Sequence, residues 1–141
     1  MYISNTATLP NEIIYKVIPN FQSYSISNIG QIKSNIDNKD MFDKYIWKHN
    51  RFQICLKSNT GQISNQYVDR LVAETFIELP NNNSSTNQYI VRHYDFDNYN
   101  NIVDNLFWFS KSDRRKELKE IKLKLLEEKV LFLENNPDYV F

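Results

Sequence analysis

The chain has 141 residues, with 17 Lys and Arg balancing 17 Asp and Glu, and it is 41% hydrophobic and 14% aromatic. That length accommodates one compact domain or two very small modules, and the aromatic content excludes disorder throughout even at a mean hydropathy of -0.58. Zero net charge argues against a protein that simply coats nucleic acid, because such binding is driven by counterion release from phosphates.

No apolar run approaches the roughly 18 residues of a membrane span. Residues Met1 to Thr6 lack the charged-then-apolar plan of a signal peptide, so an intracellular protein is expected, in a host cell or in a virion of a virus or phage. The lone Cys55 excludes an intramolecular disulfide and a cysteine-cluster zinc site, and is expected to be a small core residue.

In chain order, Gly30 and Gly61 each sit between β-prone stretches, where a tight turn calls for positive φ. The first predicted hairpin runs Tyr24 to Ser27, turns at Asn28-Ile29-Gly30 and returns through Gln31 to Ser34. The second pairs Phe52 to Leu56, apolar on alternate residues, with Gln62 to Tyr67 across Asn59-Thr60-Gly61, and residues 37–43 join the two hairpins. From Val68 to Phe76 apolar residues recur at i, i+3, i+4 and i+8, one face of a short helix ending before Pro80 and packing on the second hairpin.

An exposed loop follows at 81–87, then a strand from Gln88 to Arg92 leading into His93, an Asn-rich loop at 97–104 and a strand at 105–109. A long helix is expected from about Ser112 to Glu134, opened by a capping-box-like Ser110-Lys-Ser-Asp113. Its stripe of Leu118, Ile121, Leu125 and Phe132 is read as core packing rather than a dimer seam. Charge is uneven along this helix. Lys111, Arg114, Arg115, Lys116, Lys119, Lys122 and Lys124 outweigh Asp113, Glu117 and Glu120, leaving +4, whereas the stretch from Leu125 carries an acidic excess of three. The basic end suits phosphate, and a solvated helix with alternating charges is the alternative.

Strand, loop, strand and helix with a histidine ending the first strand is the plan of a ββα-metal unit. The segment Tyr24-Ser-Ile-Ser-Asn-Ile-Gly-Gln-Ile-Lys-Ser34, preceded by Glu12 and Asn20-Phe21, resembles the modular domain found beside homing nucleases, with its Tyr-x-Val-Ser-Asn-x-Gly-x-Ile-x-Ser pattern. Val68 to Phe76 resembles Val-His-Arg-Leu-Val-Ala-x-x-Phe, with Asp69 in place of the histidine. Val91 to Asp97, Asn100-Asn101 and Asp104 to Trp108 resemble Val-Asn-His-Ile-Asp-Gly-Asp, Asn-Asn and Asp-Asn-Leu-x-Trp. Together these blocks cover most of residues 12–115 and resemble the homing-type HNH endonucleases.

The resemblance implies an α+β fold: a β-hairpin module at 1–36, an HNH ββα-metal-type unit at 37–115, and a C-terminal helix and tail at 116–141. It implies one-metal phosphodiester hydrolysis with His93 as general base, and a loop braced by Asp95, Asp97, Asn100, Asn101 and Asn105. The family's metal positions fall on Arg92 and Arg114, which offer no lone pair. One Arg⁺ about 5 Å from a divalent ion costs roughly 6 to 7 kcal/mol at an effective dielectric of about 20. No metal ligand or cofactor is therefore expected, and Mg²⁺ or Mn²⁺ enters only if other residues rescue the site; Asp113 is read as a capping residue instead.

The arginine pair suits a nucleic-acid backbone. The expected partner is double-stranded DNA, contacted by Arg92, Arg114, Arg115 and Lys111, with Lys33 as a lesser contact. The expected function is an HNH-lineage protein that binds duplex DNA with cleavage weakened or lost. The alternatives are an active metal-dependent nicking enzyme and a viral assembly protein docking through its C-terminal helix.

Overall fold

The computed structural model describes residues 9–81 and 84–140. The N-terminal stretch read for a signal peptide, and Asn82 and Asn83 of the expected exposed loop, lie outside the described residues. Two three-stranded antiparallel sheets come first, β1 (Tyr15–Ile18), β2 (Phe21–Ser27) and β3 (Ile32–Ser34), then β4 (Ile46–Lys48), β5 (Arg51–Lys57) and β6 (Ile63–Tyr67). Helix α1 (Val68–Phe76) follows, then a two-stranded ribbon of β7 (Tyr89–His93) and β8 (Leu106–Ser110), and last α2 (Lys111–Asn135). Both expected hairpins, the short helix, the ribbon and the long helix are present. The edge strands β1 and β4 were not foreseen.

The turns follow from residues that tolerate the left-handed region. Asn20 (φ 67) joins β1 to β2, Gly30 (φ 84) joins β2 to β3, and Gly61 (φ 88) joins β5 to β6. Between β4 and β5 two successive left-handed residues, His49 (φ 54) and Asn50 (φ 61), make the kind of two-residue turn whose twist matches that of its strands. The turn at 27–30 also gathers distant chain. Asn28 holds residues 12–14 through its side-chain amide and backbone, and its carbonyl accepts the N–H of Val103 at 2.9 Å, tying the first sheet to the loop between β7 and β8.

The core is shared across these pieces. Ile18, Ile26 and Ile32 from the first sheet pack with Ile54 and Leu56 of β5, Val68, Leu71 and Val72 of α1, and Leu106 of β8. Fully burying each such side chain contributes roughly 1.5–3 kcal/mol, so α1 with its i, i+3, i+4 stripe acts as the wedge between both sheets and the ribbon. Arg70, on the other flank of α1, donates to the carbonyls of Tyr89 and Thr86 and lies over the Trp108 ring, while Trp108 Nε1 donates to Ile77 O at 3.0 Å. These bonds fix the start of β7, and with it the strand end that carries His93.

Two expectations about burial are corrected. Cys55 is exposed. Phe52, Ile54 and Leu56 face the core, so the period-2 alternation of β5 turns Cys55 outward. The α2 stripe is not core either: Leu118, Ile121, Leu125 and Phe132 are all exposed, and no described residue of α2 is buried. The helix packs on β8, and among the described residues its stripe is left uncovered. No helix among the described residues is long and apolar enough to cross a membrane.

Candidate nucleic-acid interface at the His93 cleft

His93 ends β7 paired with Leu106 of β8, and the intervening loop is held by asparagines. Asn105, fully buried, donates through Nδ2 to Asp95 Oδ1 (2.9 Å) and to Asn100 O (2.8 Å), and accepts the Asp95 N–H. Asn100 Nδ2 donates to the other Asp95 oxygen at 2.9 Å, and Asp97 caps the N–H of Tyr99. Burial acts to raise the Asp95 carboxyl. The bonds from Asn105, the Asp97 N–H and Asn100, with His93 nearby, outweigh it and hold the group below the ordinary carboxylate range. The loop is therefore braced as the resemblance implied, with one difference: Asn101 turns away from the brace and toward the histidine.

His93 is 6% exposed, and its Nε2 lies 2.8 Å from Asn101 Oδ1. An amide oxygen only accepts, so this partner assigns the proton to Nε2 and leaves the lone pair of a neutral ring on Nδ1. A neutral ring held this way keeps one nitrogen, Nδ1, able to accept a proton. Asp69 Oδ2 stands 3.9 Å from the same Nε2, but its carboxylate is committed elsewhere: Arg51 grips both oxygens, Nε to Oδ2 at 2.8 Å and Nη2 to Oδ1. Arg51 itself lies flat over the Tyr67 ring, 3.6 Å from its centroid. Sequence reasoning missed this pair, which joins residues 18 apart, and missed Asn101 as the partner of His93. The adjacent asparagines and the charge at Asp69, on a helix face otherwise apolar, were the only signals.

These groups open onto a cleft of about 910 Å³ whose charged lining is Arg51, Asp69, Arg92, Arg114 and Glu117. Three guanidinium groups meet two carboxylates there. Arg92 is half tied down, with Nη2 3.0 Å from each Glu117 oxygen and the guanidinium 4.0 Å over the Phe109 ring. Arg114 lines the cleft with no carboxylate within ion-pair distance among the described residues, so it carries the uncompensated positive charge. Lys111 stands one turn before Arg114 and Arg115, at i-3 and i-4, while Arg115 is turned about 100° from Arg114; both Lys111 and Arg115 are exposed and form a basic rim outside the cleft proper. Lys33 lies apart from the cleft, with its ammonium 4.2 Å over the Tyr15 ring of the first sheet. Asp113 takes the place expected of it: its N–H is capped by Ser110 Oγ at 3.0 Å in the first turn of α2.

The donor set does not fit a divalent metal of the kind HNH nucleases usually employ. Arg92 and Arg114 present only donors, and both carboxylates of the cleft face arginine or are bonded to it. Among the described residues no group of three or more His, Cys, Asp or Glu is placed to hold a metal ion.

A histidine at the end of one ribbon strand, with a helix following the second, defines a ββα-type nuclease fold. The chain is similar in structure to the protein solved in a study of DNA binding and cleavage by the HNH homing endonuclease I-HmuI, with a TM-score of 0.60 and 23% identity over 86% of this chain and 68% of that one. It is 33% identical over 105 residues to an uncharacterised HNH endonuclease of Acanthamoeba polyphaga mimivirus, covering 71% of this chain and 24% of that protein. The chain thus spans about a quarter of the length of the curated relative it matches. No protein-family profile matches it. The chain is thus similar in fold to an HNH homing endonuclease and, over 105 residues, similar in sequence to an HNH endonuclease of a virus.

Proposed function

We propose that this chain is an HNH-lineage module that binds duplex DNA through the His93 cleft, with phosphodiester cleavage weakened or lost. The observation that carries the reading is that Arg92 and Arg114 line one cleft with His93, and the sequence resemblance gives these two positions to the family's metal ligands. A guanidinium stays charged and matches phosphate oxygens with two parallel donors, so the substitution exchanges a metal site for an anion site. Arg114 is the principal phosphate contact, Arg92 a second one restrained by Glu117, and Lys111 and Arg115 extend the contact along α2; Lys33 is a lesser contact on the first sheet. Within this reading residues 1–36 form a nuclease-associated modular hairpin, 37–115 the nuclease-type unit and 116–141 a helical extension.

Active, metal-dependent nicking is the second reading, and one observation favours it: the Asn101 partner on Nε2 orients the His93 ring and leaves Nδ1 of the neutral ring able to accept a proton. A gel-shift titration across salt concentrations tests the binding, since phosphate contacts give a steep dependence of affinity on salt. A plasmid nicking assay in Mg²⁺ or Mn²⁺ separates the two readings.

A further inference from the structure

Three residues past His93 the chain does something costly. Phe96 adopts φ 59, a left-handed conformation that strains a bulky L-residue and that glycine would adopt freely. In return it buries almost nothing: the residue is 92% exposed. The backbone strain is unfavourable for folding, and a ring that stays solvated in the folded chain offsets none of it; such outliers persist where the surroundings over-determine them, and they cluster at functional sites.

The surroundings here do over-determine it. The N–H of Phe96 bonds back to His93 O at 3.2 Å, the preceding Asp95 is clamped by Asn100 and Asn105, and the following Asp97 donates its N–H to Asp95 and caps Tyr99. The ring is thus presented by a rigid tip, and it lines the same cleft as His93, Arg92 and Arg114. An apolar ring beside uncompensated arginine has the composition of a surface that meets duplex DNA, with phosphates on the cations and a base step at the ring.

We propose that Phe96 is a wedge that inserts between base pairs of the bound duplex and kinks it at the His93 cleft. The inference rests on the DNA-binding reading above and adds the residue that deforms the DNA. Inserting an apolar side chain partly unstacks one base step, and the bend it produces brings more backbone onto the protein. Stacking on a base also returns the ring to an apolar environment, which the free protein denies it.

The test uses relaxation of closed circular plasmid by a metal-independent topoisomerase in EDTA, with the protein at saturating concentration, beside a gel shift on a short duplex. Wild type is expected to shift the topoisomer distribution. Phe96→Gly and Phe96→Asn, both at ease at positive φ, are expected to lose that shift and bind about 5- to 100-fold more weakly, whereas Phe96→Trp retains both. Relief of the left-handed strain offsets the unfolded-state entropy that glycine adds, so the Gly variant should melt no lower than wild type, and weaker binding cannot then be ascribed to misfolding. Unchanged affinity and topoisomer shift in the Gly and Asn variants would overturn the wedge, as would wild type that binds the duplex and leaves the topoisomers unaltered. Wild type that fails to bind DNA at all would overturn the DNA-binding reading and the wedge with it.

Discussion

Asn101 Cβ lies 3.0 Å from the point where a Cβ on Gly30 would begin. The turn of the first sheet therefore closes directly on the residue that holds His93, and Tyr45 seals the junction by donating its hydroxyl to Gly30 O at 2.6 Å. Burial pushes the Tyr45 phenol well above its ordinary range, so it remains a neutral donor.

Gly30→Ala should therefore be destabilising. Loss of unfolded-state entropy favours alanine by about 0.4–1 kcal/mol, but left-handed strain costs about 1–2 kcal/mol and the collision with Asn101 adds to it. A net loss of about 1–3 kcal/mol is expected in urea denaturation, together with a change in the His93 imidazole ¹⁵N shifts as Asn101 is displaced. A stable variant with unaltered shifts would show that the turn and the histidine are independent.

Arg51→Ala strands Asp69, whose side chain is 3% exposed. Breaking a buried pair by removing one partner costs about 3–5 kcal/mol. Because the Arg51 side chain is 28% exposed and water can reach the gap, a loss at or just below the bottom of that range, about 2–3 kcal/mol, is expected. Replacing both together, Arg51→Met with Asp69→Leu, should recover most of that loss, and equilibrium unfolding of the single and double variants measures it.

Much of the fold was legible because it depends on short-range patterns. The stripe of α1 and the alternation of β5 are readable within a few residues, as are the turn glycines and the cap at Ser110. The same alternation already required Cys55 to face outward, and the small-residue argument overrode it. The α2 stripe misled because periodicity shows which residues share a face, whereas burial needs a surface opposite them, and among the described residues this stripe is left uncovered. At the candidate site, His93, Arg92 and Arg114 were singled out through the family resemblance, and they line one cleft. Arg51 with Asp69, Arg92 with Glu117, and His93 with Asn101 were not, because they join different elements across 18, 25 and 8 residues and depend on how α1, α2 and the ribbon pack.

Glu117 restrains Arg92, so Glu117→Gln should free a second guanidinium for phosphate. Affinity for duplex DNA should rise, and the slope of log K against log salt should steepen by about one. Arg114→Ala should do the opposite, weakening binding across all sequences and lowering the slope by about one. Gel shifts at four or five salt concentrations read both effects.

Asp95 supplies a pH dependence. Its folded carboxyl lies below the unfolded value, so its contribution is present above the unfolded value and is lost as pH falls through the folded one. The stability difference between wild type and Asp95→Ala should accordingly be largest near neutrality and shrink as pH falls below about 4. Urea denaturation at a series of acid pH values checks this, and a difference that stays constant down to pH 2 would mean that the loop is held without the charge.

The central claim is that the His93 cleft binds DNA but has lost the means to cut it. The most direct measurement is incubation of the protein with supercoiled plasmid in Mg²⁺ or Mn²⁺, beside His93→Ala and EDTA controls, with binding followed in parallel by gel shift. The account predicts a shifted duplex and a plasmid that stays supercoiled. Metal-dependent nicking that disappears in the His93 variant would contradict it and would mean that the cleft recruits a metal despite Arg92 and Arg114.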